Sequence, residues 1–170
     1  MERVNVGNKA FGKKIDITDP CYDHDTWCRI NDLEIEAGLY RCYVIIADDS
    51  ETNGWGERVA EIGIELVGTT PYKYERIGSI GVDAGMAGFF ENKPDYKDEE
   101  WHMFCDCLDY KHNKYWLWHV GFFSDSGYGD GSYEVKVSRN SHGKVIAVKI
   151  VFITDEELVT DDDDEEDEDY

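Results

Sequence analysis

The chain has 170 residues, of which 38 are Asp or Glu and 17 are Lys or Arg, so its formal net charge at pH 7 is -21. A charge of this sign repels nucleic-acid backbones and anionic lipid surfaces, so the composition argues against direct binding to either. The hydrophobic content of 41% is enough for one core, and we predict a single β-rich globular domain over residues 1–154.

Alternation of apolar and polar residues predicts strands along most of this domain. The predicted strands are, in chain order, residues 14–18, 38–47, 58–67, 77–82, 115–123, 133–137 and 144–153. Helical spacing of apolar residues behind Pro94 predicts one helix over residues 95–110, and a weaker pattern predicts another over residues 25–33. Turn residues at 139–143 join the last two strands into a hairpin, and the apolar run of 144–153 predicts a central strand.

The fold class predicted from these elements is mainly β, of the α+β type. We expect a sandwich or a strongly bent antiparallel sheet with one helix packed on it, followed by an acidic C-terminal tail at residues 155–170. Twelve of the 38 acidic residues lie in this tail, and the remaining 26 still outnumber the 17 basic residues by nine. The tail is predicted to be disordered and solvated, or to be a ligand for a strongly basic partner, and the domain is acidic in its own right.

The N-terminus and the cysteines bear on the compartment. Residues 1–14 lack the apolar region of a secretion signal, and no stretch approaches 18 uninterrupted apolar residues, so we expect neither secretion nor a membrane span. Five cysteines are an odd number in a chain of this size, which favours reduced thiols. We therefore expect a cytoplasmic protein.

Three segments rich in Gly and Asp stand out at predicted strand ends. The first is ITDPCY at residues 17–22, where proline keeps Asp19 out of the helical region and frees its carboxylate to cap backbone amides. The second, GVDAGMAGFF at 81–90, is a glycine-punctuated strand that contains Asp83. The third, SDSGYGDGSY at 124–133, alternates glycines that can present amides to an anion.

Each of these segments also has a purely structural interpretation. Asp19 is typical of a turn or capping residue as well as of a catalytic acid, and Asp83 can anchor its loop as well as bind a metal ion. The chain has no nucleophile elbow, zinc-protease motif or phosphate-binding loop. His119, within an aromatic run, is expected in the core or in a cross-strand pair.

Together, the DPCY, VDAG and GDG-Y segments resemble the bacterial and phage proteins grouped as domain of unknown function 4241 and their relatives. The resemblance spans most of residues 15–153 and is carried by these short motifs, whereas the acidic tail is outside the pattern. It implies a β-rich fold and a shared pocket in which Asp19, Asp83 and Asp130 converge. It implies no established activity.

The first functional hypothesis is an acidic partner-binding protein without a cofactor. It would be an inhibitor or a phage-type counter-defence protein, similar to anti-CRISPR proteins, that presents carboxylates to a basic nucleic-acid-binding site of another protein, such as a nucleic-acid-binding enzyme. The predicted partner-binding residues are Asp161, Asp162, Asp163, Asp164, Glu165, Glu166, Asp167, Glu168 and Asp169.

The alternative hypothesis is a small-ligand or metal-dependent hydrolytic domain in which a divalent metal ion is the cofactor. Its predicted pocket consists of Asp19, Cys21, Tyr22, Asp83, Gly129, Asp130 and Gly131. Such a site needs the three aspartates within about 8 Å of one another. A third possibility is an accessory protein whose tail maintains solubility.

Overall fold

The computed structural model describes residues 1–51, 54 and 56–158 of the chain. Within these residues the chain forms eleven strands and one main helix, α1 (Asp98–Asp106). The strands are β1 (Glu2–Phe11), β2 (Lys14–Thr18), β3 (Ile30–Glu34), β4 (Gly38–Asp48), β5 (Glu57–Leu66), β6 (Glu75–Val82), β7 (Met86–Phe90), β8 (Tyr115–Leu117), β9 (Gly121–Asp125), β10 (Gly131–Arg139) and β11 (Val145–Val151).

The strands form two antiparallel sheets that enclose the main core. The large sheet has the order β1-β4-β5-β11-β10-β6, and the small sheet has the order β3-β2-β7-β9-β8. Buried aliphatic and aromatic side chains from both sheets form one contiguous cluster. This arrangement confirms the predicted mainly β fold with one helix packed on a sheet.

Strand β5 shows how the sequence pattern builds the large sheet. Ile62 and Ile64 are fully buried in the core, whereas Glu65 is on the opposite face, as the alternation predicts. Glu65 is nevertheless only 8% exposed, because Arg3 and Arg41 approach its carboxylate at 2.5 and 3.3 Å. Two cations of the outer face are therefore held at one carboxylate.

The hairpin of β10 and β11 confirms the prediction for the C-terminal part of the domain. Val137 pairs with Val148, and the connecting turn closes through a hydrogen bond from Gly143 N to Asn140 O at 3.0 Å. Gly143 has a φ of 82°, which glycine adopts without strain. Strand β11 lies between β5 and β10, so the prediction of a central strand is also confirmed.

The aromatic segment at 115–123 differs from the prediction of one strand. It forms β8 and the start of β9, joined by a tight turn in which Trp118 and Gly121 exchange backbone hydrogen bonds of 2.9 and 3.2 Å. The small sheet is covered on both faces, so both sides of its strands are apolar. The apolar run continues into the turn, and the sequence therefore does not show where β8 ends. His119 is exposed in this turn, so its predicted core position is wrong.

Three other elements differ from their predicted form. The predicted helix at 25–33 is wrong, because this region forms turns that lead into β3. Helix α1 is shorter at both ends than the predicted span of 95–110. Strand β1 was not predicted, since its apolar residues Val4 and Val6 are few and only partly buried.

Helix α1 packs on the outer face of the small sheet through an aromatic cluster. Phe104 stacks on Trp101 at 5.2 Å and on Phe123 of β9 at 5.5 Å between ring centroids. Trp116 of β8 and Phe90 of β7 complete the contact. The helix thereby covers one side of the sheet and exposes its acidic residues to solvent.

Candidate functional site

The three Gly/Asp segments meet at one end of the sandwich. The Asp19 carboxylate of the first segment accepts hydrogen bonds from the amides of Asp83 and Ala84 in the second, at 2.8 and 2.6 Å. The second is joined to the third by a hydrogen bond from Ser126 N to Gly85 O at 3.0 Å. Hydrogen bonds from backbone amides therefore join these three segments, which are far apart in the sequence.

Asp19 is the centre of this arrangement. It is fully buried, and its second carboxylate oxygen accepts the Cys21 amide at 2.8 Å. Pro20 favours the extended backbone that aims this carboxylate at the neighbouring loops. Both oxygens are occupied by backbone donors, so the geometry matches the capping interpretation of Asp19 and leaves its carboxylate with a structural role.

Asp83 and Asp130 lie side by side at the surface. Gly131 pairs with Val82 in the ladder of β10 and β6, which places the preceding Asp130 next to Asp83. Both side chains are exposed, and neither has an ion-pair partner among the described residues. They contribute negative surface beside the buried Asp19.

The alternative hypothesis requires side chains that can hold a metal ion. Across the described ranges, no group of three or more His, Cys, Asp and Glu side chains is arranged to hold a metal ion. Asp19 contributes no open oxygen, because its hydrogen bonds run to three amides. The divalent-metal hypothesis stays a prediction.

Cys21 and Tyr22 serve to pack the first segment. Burial raises the pKa of the Cys21 thiol far above its ordinary value, and the negative charge of Asp19 adds to the effect. A neutral, half-buried thiol is a poor nucleophile. Burial and a hydrogen bond with Cys28 likewise raise the pKa of Tyr22. A Cβ at Gly81 would approach the Cys28 sulfur to 2.8 Å, so a larger residue there would require the Cys28 side chain to shift.

The third segment folds back on itself. Gly129 donates its amide to Ser126 O at 3.2 Å, while its own carbonyl accepts the hydroxyls of Ser126 and Tyr133 at 2.8 and 2.5 Å. Tyr128 reaches the β4–β5 connection and donates to the buried Asp49 at 2.6 Å. Gly131 begins β10 and is exposed. The amide of Gly129, at the middle of the loop, is therefore already used inside the protein.

The acidic chain end begins beside this loop. A capping box at Thr154 and Glu157 opens a helical turn over residues 155–158, with reciprocal hydrogen bonds of 3.2 and 3.3 Å. Leu158 packs against the main core. The Tyr133 ring packs on Phe152 with 5.1 Å between ring centroids. Burial raises the pKa of Tyr133, and the charges of Glu157 and Asp130 add to this effect. The predicted partner-binding run at 161–169 lies outside the described residues.

Two surface features lie outside the predicted site residues. The exposed acids of α1, which are Asp98, Glu99, Glu100 and Asp106, have no ion-pair partner in the described part of the chain. Trp27 is 91% exposed in the loop after the first segment. Charge-rich helix faces are ordinary in sequence, and exposure of a tryptophan has no sequence signal, so neither could be selected without coordinates.

Comparisons of the chain with models of protein families, with curated proteins and with solved structures give no match. In the described ranges, no helix has the length and apolar character needed to cross a membrane.

Proposed function

We propose that the protein is an acidic partner-binding protein that inhibits another protein by presenting carboxylates to its basic nucleic-acid-binding site. One observation carries the proposal: the described segment that leads to the acidic run packs beside the third Gly/Asp segment, where the rings of Phe152 and Tyr133 lie 5.1 Å apart between centroids. The exposed Asp83 and Asp130 flank the paired residues Val82 and Gly131 at this same end. The exposed carboxylates of the Gly/Asp end and those of residues 155–157, the described start of the acidic segment, therefore lie at the same end of the domain.

The distribution of the basic residues supports this proposal. Most of the cations on the large sheet are held in ion pairs on its outer face, namely Arg3 and Arg41 with Glu65, Lys149 with Glu61, Arg76 with Glu134, and Arg139 with Glu75. Exposed acidic residues without an ion pair among the described residues include those of α1 and of the Gly/Asp end, and the sequence adds nine consecutive acids at 161–169. A channel built from Lys and Arg to hold phosphates would attract this surface.

Analogy, sequence motifs and composition support three further parts of the proposal, which are the kind of inhibitor, the family and the cellular location. An inhibitor of this kind would belong with phage counter-defence proteins such as anti-CRISPR proteins, which share its size and charge. We also propose membership of the domain of unknown function 4241 family, on the strength of the DPCY, VDAG and GDG-Y segments. A cytoplasmic location is in keeping with the five free cysteines.

The test is an affinity capture from the native host followed by competition with labelled DNA or RNA for the captured protein. The full chain is compared with a chain ending at Leu158, which keeps the packed helical turn, and with a chain of full length in which the acids of 161–169 are replaced by Asn and Gln. We expect both variants to bind roughly tenfold or more weakly at low salt, with a smaller salt dependence.

A double variant, Asp83→Asn with Asp130→Asn, tests the contribution of the folded domain. It should weaken binding further without affecting the free energy of unfolding, because both side chains are exposed. Capture of no basic protein, or binding that neither added salt nor the neutral tail changes, would contradict the proposal.

A further inference from the structure

Lys93 is buried on the outer side of the small sheet without a carboxylate partner. Its side chain is 8% exposed, and its ammonium donates to the Pro94 carbonyl at 2.7 Å and lies 4.7 Å from the centre of the Tyr96 ring. In the described chain no carboxylate lies within ion-pair distance of it. An ammonium has three donors, so Lys93 retains donor capacity that the protein does not use.

Arg29, the other buried cation of the described residues, provides the contrast. Its guanidinium bonds to the Asp16 carboxylate at 3.1 Å, to Asn31 at 2.6 Å and to the Tyr22 carbonyl at 2.9 Å. Asp16 in turn accepts the Asp32 amide at 2.9 Å. The Asp16 carboxylate therefore bonds to Arg29 and to a backbone amide, and it forms no ion pair with Lys93.

Lys93 lines a surface cavity of about 290 Å³. Phe90 and Asn92 of the same segment, Lys14 of β2 and His24 of the loop after the first segment also line this cavity, together with Asp16 and Asp32. The volume is at the lower end of the range for small-molecule sites, about 300–1,000 Å³. It admits a small ligand and excludes a folded partner.

The electrostatics of Lys93 favour an anionic occupant. Burial lowers the pKa of its ammonium, and the nearby Arg29 lowers it further, whereas Asp95 and Asp23 act in the opposite direction. A buried cation without a direct counter-ion is unfavourable, and an anion that accepts its free donors compensates that cost. The cavity beside it gives such an anion access.

We propose that this cavity binds a small oxyanion, with the chemistry shared by a carboxylate and a phosphate, held by Lys93 and flanked by Lys14 and His24. The site is independent of the proposed partner binding, because it lies on the small sheet between β2, β3 and the segment after β7. The cavity admits only a small ligand, and Asp16 and Asp32, which also line it, disfavour a polyanion.

Isothermal titration of the full chain with sodium acetate and, separately, with inorganic phosphate tests the proposal. We expect saturable binding of at least one anion, weakened roughly tenfold or more by Lys93→Met. Lys73→Met, at an exposed lysine in the β5–β6 connection, is the matched control and should bind like the parent. Binding of acetate alone or of phosphate alone supports the site and distinguishes the two sources. Absence of saturable binding of either anion, or equal binding by Lys93→Met, overturns it.

A second measurement uses the unaltered protein, so it does not depend on the folding of a variant. The ¹³Cε resonance of Lys93 is followed by NMR against pH with and without saturating anion, and the anion should raise the pKa of Lys93. The charged and titratable groups near Lys93 are Lys14, Asp16, Cys21, Asp23, His24, Arg29, Asp32, Asp95 and Tyr96. A Lys93 titration that the anion leaves unchanged contradicts the proposal.

Discussion

Replacement of Asp19 tests whether one carboxylate holds the Gly/Asp end together. Asp19→Ala removes the acceptor for the amides of Cys21, Asp83 and Ala84. Unsatisfied donors cost about 1–3 kcal/mol each, and because these amides are partly accessible to water we take the lower value for each. The expected loss is about 3 kcal/mol, a large part of the roughly 5–15 kcal/mol that stabilises a typical domain.

Urea unfolding followed by tryptophan fluorescence measures this loss. With a slope of roughly 2 kcal/mol per molar, the midpoint should fall by about 1.5 M while the slope is unchanged. Asp19→Asn keeps one acceptor oxygen and should lose about half as much. Asp83→Ala removes an exposed carboxylate from the same end and should change stability by less than about 0.5 kcal/mol. A loss below about 1 kcal/mol for Asp19→Ala, or equal losses for Asp19→Ala and Asp83→Ala, would refute the role of Asp19 as the central cap.

Two further substitutions test the core and the pH dependence. Gly88→Ala in β7 places a Cβ closer than 3.0 Å to backbone atoms of Phe122 and Phe123. We therefore expect the free energy of unfolding to fall by more than about 3 kcal/mol in the same urea assay. If the variant is as stable as the wild type, β7 and β9 can move apart without cost and the expectation is wrong. Burial raises the pKa of Asp125 to about 6 against an ordinary value of 3.8, so the folded protein retains a proton that the unfolded chain releases, and stability should fall as pH rises from about 4 to 6. Asp125→Asn should remove this dependence of stability on pH and stabilise the protein at pH 7 by about 1–2 kcal/mol after allowance for solvent screening. The measurement is urea unfolding of both proteins at pH 4, 5, 6 and 7. The same pH dependence in the variant would contradict the raised pKa of Asp125.

Strands with one buried face were predictable, because apolar and polar residues alternate along them in the sequence. Residues 58–67 and 144–153 show this best, and the structure places them as neighbours in the large sheet. The small sheet was harder to predict. It is buried on both faces, so the aromatic run through β8 and β9 carries no polar residue to mark its turn except His119, which was misassigned to the core.

The candidate site was only partly accessible from sequence. The Asp-Pro step identified Asp19 as a capping residue, because proline restricts the preceding backbone. The amides that it caps belong to Asp83 and Ala84, more than sixty residues away, and nothing local indicates this pairing. The burial of Lys93 was equally hidden, since a lysine before proline in a polar segment is typical of an exposed loop.

The position of β11 has a consequence for how the chain folds. It is the last strand in the described chain, yet it lies between β5 and β10 in the middle of the large sheet. Until it pairs, the half-sheets β1-β4-β5 and β10-β6 each have an open edge, and such edges invite pairing between molecules. During synthesis, β5 has no partner on this side until β11 is made, so the joining of the two half-sheets is a late, long-range step.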